Sequence, residues 1–90
     1  MKKCIHLNIS GKVQGVYFRA STKEKAEELK IAGMVMNTEG GGVYAEAEGE
    51  EADLNVFIEW CRQGPPQAKV ERVDVREGSL KNYSKFEIVR

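Results

Sequence analysis

Residues 3 to 10 alternate Ile5, Leu7 and Ile9 with His6, Asn8 and Ser10, and this period of two commits the start of the chain to a strand with one face on a core. Such a strand needs covering, and the next apolar spacing is helical. From about residue 20 to 31, Lys and Glu surround Ala26 and Leu29 at i, i+3, and Gly33 is expected to stop the helix. Strand period returns at 34 to 38 and 43 to 48, on either side of Gly40-Gly41-Gly42. The second of these runs sets Val43, Ala45 and Ala47 against Tyr44, Glu46 and Glu48, which is a hairpin pattern. Leu54, Phe57, Ile58 and Cys61 then fall at i, i+3, i+4, i+7 and predict a second amphipathic helix ending near Gly64-Pro65-Pro66. Val70 to Val75 and Phe86 to Val89 supply a fourth strand and a short fifth.

Strand, helix, strand, strand, helix, strand is the split β-α-β order. The expected fold is therefore α+β: a ferredoxin-like sandwich, with an antiparallel sheet of four to five strands and two helices on one face. Ninety residues with no internal repeat and no long linker are read as a single domain, 1–90. In this topology the first and second strands run parallel through a right-handed crossover with the third between them, so their C-terminal ends share one edge of the sheet. The loop from Gly11 to Phe18 leaves one of those ends, and Asn37 sits at the other. Two strand spacings, about 10 Å, separate them.

Charge and composition exclude several classes of function. Fourteen basic residues balance fourteen acidic ones, so no global field recruits nucleic acid or an anionic membrane, and any anion site has to be local. No apolar run approaches the roughly 20 residues of a spanning helix, and Met1-Lys2-Lys3 leads into a strand rather than a signal-peptide core, so a cytoplasmic location is expected. Cys4 and Cys61 are too few for a disulfide framework and are read as free buried thiols. Cys4 and His6 share a strand face, but with no second ligand pair they fall short of a zinc site, and neither metal nor cofactor is expected. The acids Glu46, Glu48, Glu50 and Glu51 read as a solvated face or a helix entry.

The segment Gly11-Lys12-Val13-Gln14-Gly15-Val16-Tyr17-Phe18-Arg19 carries the chemistry. Backbone dipoles place partial positive charge at a helix N-terminus, where acids are favoured, yet Arg19, Lys23 and Lys25 meet only Glu24 there. A bound anion resolves that conflict. The N–H groups of a glycine-containing turn, the helix N-terminus and a guanidinium all present donors or positive charge to a phosphate-like group. The alternative for Arg19 is a solvated surface side chain, and for Asn37 ordinary turn chemistry before a glycine-rich hairpin. His6 lies about five residues before the loop, roughly 15 Å back along an extended strand, and is read as a partly buried, hydrogen-bonded side chain rather than a general base. No cysteine precedes Arg19 in the loop, which removes a thiolate nucleophile, and Ser10, Ser21 and Thr22 lack an activating base. Ser21 and Thr22 are expected to satisfy the first helical turn.

The run from Gly11 to Arg19 resembles the signature loop of the acylphosphatase family, and Gly33-Met34-Val35-Met36-Asn37 resembles its second motif. Gly64-Pro65-Pro66, Val70-Glu71-Arg72-Val73 and Phe86-Glu87-Ile88 are also similar to that family, so the likeness spans nearly the whole chain. Two positions depart from it: Lys30, where the family commonly has glycine, and Met34, where an aromatic is common. The resemblance implies metal-independent hydrolysis of the carboxyl-phosphate bond of small-molecule acyl phosphates; a monomer is expected. Arg19 would hold the phosphoryl group, the backbone of Gln14, Gly15, Val16, Tyr17 and Phe18 would complete the cradle, and Asn37 would hold the attacking water. The same fold also serves binding modules. RNA recognition needs aromatics on the central strands and a basic surface, for which Tyr44 alone is a poor platform. An anion binder without turnover could keep Arg19 and the loop, but it has no need of a water-orienting amide at Asn37.

Overall fold

The opening alternation is realised as β1, Lys2–Lys12, whose Ile5, Leu7 and Ile9 are buried. A computed structural model describes residues 1–90, and β1 is followed by α1 (Phe18–Glu28), β2 (Ala32–Asn37), β3 (Val43–Glu50), α2 (Glu51–Gln63), β4 (Lys69–Gly78) and β5 (Phe86–Ile88). The strands form one sheet in the order β4-β1-β3-β2-β5. β3 pairs antiparallel with both β1 and β2, and β4 pairs antiparallel with β1. The expectation of an antiparallel sheet needs one correction, because β5 runs parallel to β2. The chain reverses on leaving β4 and crosses to the far edge of the sheet, which brings it in alongside β2 in the same direction.

Both helices cover the face that carries Leu7, Ile9, Val35, Val43, Ala45 and Ala47. The small side chains of Ala45 and Ala47, both fully buried, let the helices approach β3 closely, and Phe18, Phe57 and Phe86 fill the space between. Burial of each such phenylalanine contributes roughly 1.5–3 kcal/mol. An edge contact links the layers, with Phe57 of α2 and Phe86 of β5 at ring centres 6.1 Å apart, and a tilted contact joins the helices, with Phe18 of α1 and Trp60 of α2 at 5.8 Å. Leu54, Phe57 and Cys61 are the buried stripe of α2, as their spacing predicts. Cys4 and Cys61 are both buried free thiols. No helix is long and apolar enough to cross a membrane.

α1 starts and stops earlier than its composition suggests. Phe18 is its first core residue, and Thr22 and Ala26 follow at i+4 and i+8. The helix ends because Leu29 caps it and Lys30 takes φ 59, the left-handed conformation in which glycine is the usual occupant. Gly33 does not stop the helix. It lies inside β2 opposite Ala47, at φ 151, where a Cβ would run into the carbonyl oxygen of Glu46.

The acids of β3 also depart from expectation. Glu50 and Glu51 are exposed at the entry to α2, but Glu46 and Glu48 are buried on the sheet face away from the helices. The segment between β4 and β5 lies over them. Backbone N–H groups of Lys81 and Tyr83 donate to the two carboxylate oxygens of Glu48. Glu46 accepts from Lys81 Nζ at 2.7 Å, Tyr83 Oη at 2.6 Å and Tyr44 Oη at 2.6 Å. Strand alternation reports which face a residue occupies and not what later covers that face. His6, on the same face, is partly buried as expected but not hydrogen-bonded: its Nε2 is buried without a partner, 3.9 Å from Glu46 Oε2.

Burial alone would raise the Glu46 carboxyl, but hydrogen bonds from Lys81, Tyr44 and Tyr83 outweigh it and hold the group down at about 2. Glu48 is lowered in the same way, burial opposing and the two backbone N–H groups prevailing. A depressed carboxyl stabilises the fold above its ordinary value of 4.5 and loses that contribution as pH falls through its folded value. Urea unfolding is expected to show a stability that declines as pH drops from about 4.5 toward about 2, with a shallower decline in Glu46→Gln. Lys30→Gly is expected to stabilise by roughly 0.5–1 kcal/mol in the same assay, because relief of about 1–2 kcal/mol of left-handed strain exceeds the ~0.5–1 kcal/mol entropic cost of glycine.

Candidate active site

The loop between β1 and α1 is held by alternating residues. Val13, Val16 and Phe18 are buried in the core, while Gly15 and Tyr17 are exposed between them. Two turns of the backbone make this possible. Gly15 has φ 73, and Tyr17, the N-cap of α1, has φ 61 and ψ 24 with its side chain 80% exposed. Left-handed residues in a short loop are the conformations from which concave rows of N–H groups are built.

Those N–H groups meet no acceptor within the chain. The first helical bond runs from Ser21 N–H to Tyr17 O at 3.0 Å, and the N–H groups of Gly15 through Ala20 lie ahead of it. Neither a side-chain cap nor an acid in the first turn offsets the helix dipole. The expectation that Ser21 and Thr22 satisfy this turn is corrected by the hydroxyl of Thr22, which donates back to Phe18 O at 2.7 Å and so bonds a carbonyl instead of an N–H. Arg19, half-buried in that first turn, makes no ion pair.

Asn37 ends β2. Its register partner on β3 is Val43, which is also the partner of Ile9, the last residue of β1 to pair with β3, so Ile9 and Asn37 flank one residue of the central strand. A cleft of about 480 Å³ opens at this edge, lined by Gly15, Tyr17, Phe18 and Arg19 from the loop and first turn and by Asn37 from β2. The Oδ1 of Asn37 is buried and has no hydrogen-bond partner. A buried carbonyl oxygen without a donor costs about 1–3 kcal/mol, so it marks a place where a donor belongs. Of the other proposed cradle residues, Val16 turns its side chain into the core, and Gln14 directs its side-chain amide to Thr38 O and Gly42 O in the β2–β3 turn. His6 does not line the cleft. Nowhere do three His, Cys, Asp or Glu side chains converge as metal ligands.

Sequence reasoning missed Ile88 and Arg90, which form the remaining wall together with Val13 and Ala20. They arrive because β5 is parallel to β2, with Ile88 opposite Val35 and Val89 N–H donating to Val35 O at 2.9 Å. No local signal in Phe86 to Val89 says which strand it will join.

The α+β sheet thus presents an uncapped helix N-terminus, an arginine without an ion pair and a carboxamide at one edge. A family model described as Acylphosphatase matches residues 5–88. An acylphosphatase of Acaryochloris marina is 51% identical over 87 residues, 97% of this chain and 94% of the relative. The structure of an acylphosphatase from Coxiella burnetii superposes with a TM-score of 0.95 at 44% identity, covering 98% of this chain and 93% of that one. The crystal structure of acylphosphatase from Bacillus subtilis superposes with a TM-score of 0.95 at 37% identity and full coverage of both chains. The chain belongs to the acylphosphatase family, hydrolases that act on acyl phosphates.

Around Gly15 a Cβ would find no atom within 4 Å, so the demand for glycine there is conformational and not steric. Gly15→Ala is expected to destabilise by about 1 kcal/mol despite the open space, read as a lowered denaturation midpoint; an unchanged midpoint would show that the loop adopts another conformation freely.

Proposed function

We propose that this chain hydrolyses acyl phosphates to a carboxylate and inorganic phosphate, with Arg19 and the loop N–H groups holding the phosphoryl group and Asn37 holding the attacking water. The observation that carries this reading is that Asn37, whose buried Oδ1 has no hydrogen-bond partner in the chain, lines the same cleft as Arg19. An acceptor oxygen takes one O–H of a water and leaves the water's lone pair free to point at phosphorus. A pure anion binder has no use for such an acceptor.

The chemistry suits these residues. Phosphoryl transfer passes through a loose transition state, so the main tasks are positioning and stabilising charge on the equatorial oxygens. The forked guanidinium of Arg19 and the N–H groups of Gly15 to Phe18 serve the second task. Water attacks phosphorus, the bond from phosphorus to the acyl oxygen breaks, and its electron pair leaves with the carboxylate. That leaving group, with a conjugate acid near pKa ~4, needs no proton from the enzyme. The water's proton passes to a phosphate oxygen, so no strong base is required. The neutralisation that a metal ion supplies in many phosphoryl transfers comes here from Arg19 and the helix N-terminus.

The test is turnover of a simple acyl phosphate with a chelator present. Arg19→Ala is expected to lose at least about 10²–10³-fold in turnover. Asn37→Ala is expected to lose a comparable factor while inorganic phosphate still inhibits it near the wild-type concentration. Undiminished turnover in either variant removes that residue from the mechanism, and activity lost to the chelator overturns the metal-free reading.

A further inference from the structure

Gln14 joins the two halves of the cleft. Its Nε2 donates to Thr38 O at 2.8 Å and to Gly42 O at 2.8 Å, across 24 and 28 residues of chain. These carbonyls stand at the two ends of the turn between β2 and β3, and the turn is itself tied: Thr38 N–H donates to Gly42 O at 3.0 Å, Gly41 N–H to Thr38 O at 3.2 Å, and Gly42 N–H to Thr38 Oγ1 at 3.1 Å. The amide of Gln14 therefore binds a closed unit that begins one residue after Asn37. At its other end Gln14 precedes Gly15, the first left-handed residue of the loop. No other hydrogen bond connects the loop to this turn. A neutral side chain with two N–H donors on one nitrogen is what two facing carbonyls require; Glu offers them no donor, and Met fills similar length with none.

We propose that Gln14 is a positioning residue which fixes the Asn37 carboxamide relative to the loop and Arg19, and so sets the line of attack rather than the affinity for phosphate. The inference rests on the hydrolytic reading above. Val13, Val16 and Phe18 anchor the loop to the core independently of Gln14, so the loop keeps its own shape when the link is cut. What changes is where the loop stands with respect to Asn37. A displacement of about 1 Å between reacting groups costs on the order of 10²-fold in rate.

The experiment compares wild type with Gln14→Met and Gln14→Glu, measuring kcat and KM on an acyl phosphate, the inhibition constant of inorganic phosphate, and the NMR signals of the Asn37 side-chain amide. In both variants kcat is expected to fall about 10–10²-fold while the inhibition constant stays within about 3-fold. The Asn37 amide signals should shift or broaden relative to wild type. Unchanged kcat in folded variants overturns the inference. So does a parallel loss of kcat and phosphate affinity, because Gln14 would then shape the cradle itself. Wild-type protein that turns over no acyl phosphate defeats the hydrolytic reading instead, and the link is still judged separately: Asn37 signals identical in wild type and Gln14→Met would defeat it too.

Discussion

The position of β3 between β1 and β2 is the constraint on which the rest of the structure depends. Its helix-facing residues, Val43, Ala45 and Ala47, are small enough for two helices to close over them. Its opposite face carries Glu46 and Glu48, which hold the crossover to β5. Its first residue, Val43, lies between Ile9 and Asn37. One strand thus sets the core, anchors the far edge of the sheet and brings the loop and Asn37 together.

The buried acids show how an unfavourable burial can organise a fold. Taking carboxylates out of water is costly unless every oxygen finds donors. Glu46 and Glu48 find them in Lys81, Tyr83 and Tyr44, and the segment that supplies most of those donors is the one that carries Ile88 and Arg90 to the cleft. The electrostatics of the cleft has a different origin. A chain with no net charge concentrates positive potential at one point by leaving the N–H groups of Gly15 to Ala20 uncapped, with Arg19 among them and no acid in the first turn.

Much of the fold was legible because periodicity is a local property. The alternation at Ile5, Leu7 and Ile9 and the spacing of Leu54, Phe57 and Cys61 name their elements and buried faces directly. Gly33 and Lys30 were harder. Both positions have positive φ, outside the ordinary helix and strand conformations, but the close approach to Glu46 O that demands glycine at 33, and the early turn that places Lys30 at φ 59, are contacts and angles set by neighbouring elements. Glu46 and Glu48 were misread for a related reason: their alternation is that of an open face, and a segment more than thirty residues away closes it.

Local pattern in the chain was enough for the order of elements, the helix-facing apolar stripes and the juxtaposition of the Gly11–Arg19 loop with Asn37, since a split β-α-β order puts the ends of its parallel strands on one edge. Tertiary structure alone decided what completes that edge. The pairing of β5 with β2, the arrival of Arg90, the unpartnered Oδ1 of Asn37 and the bridge from Gln14 to the β2–β3 turn all depend on which groups meet across long stretches of chain. Hydrogen bonds of this kind are set by positions to within a few tenths of an ångström, and no local pattern of residues encodes them.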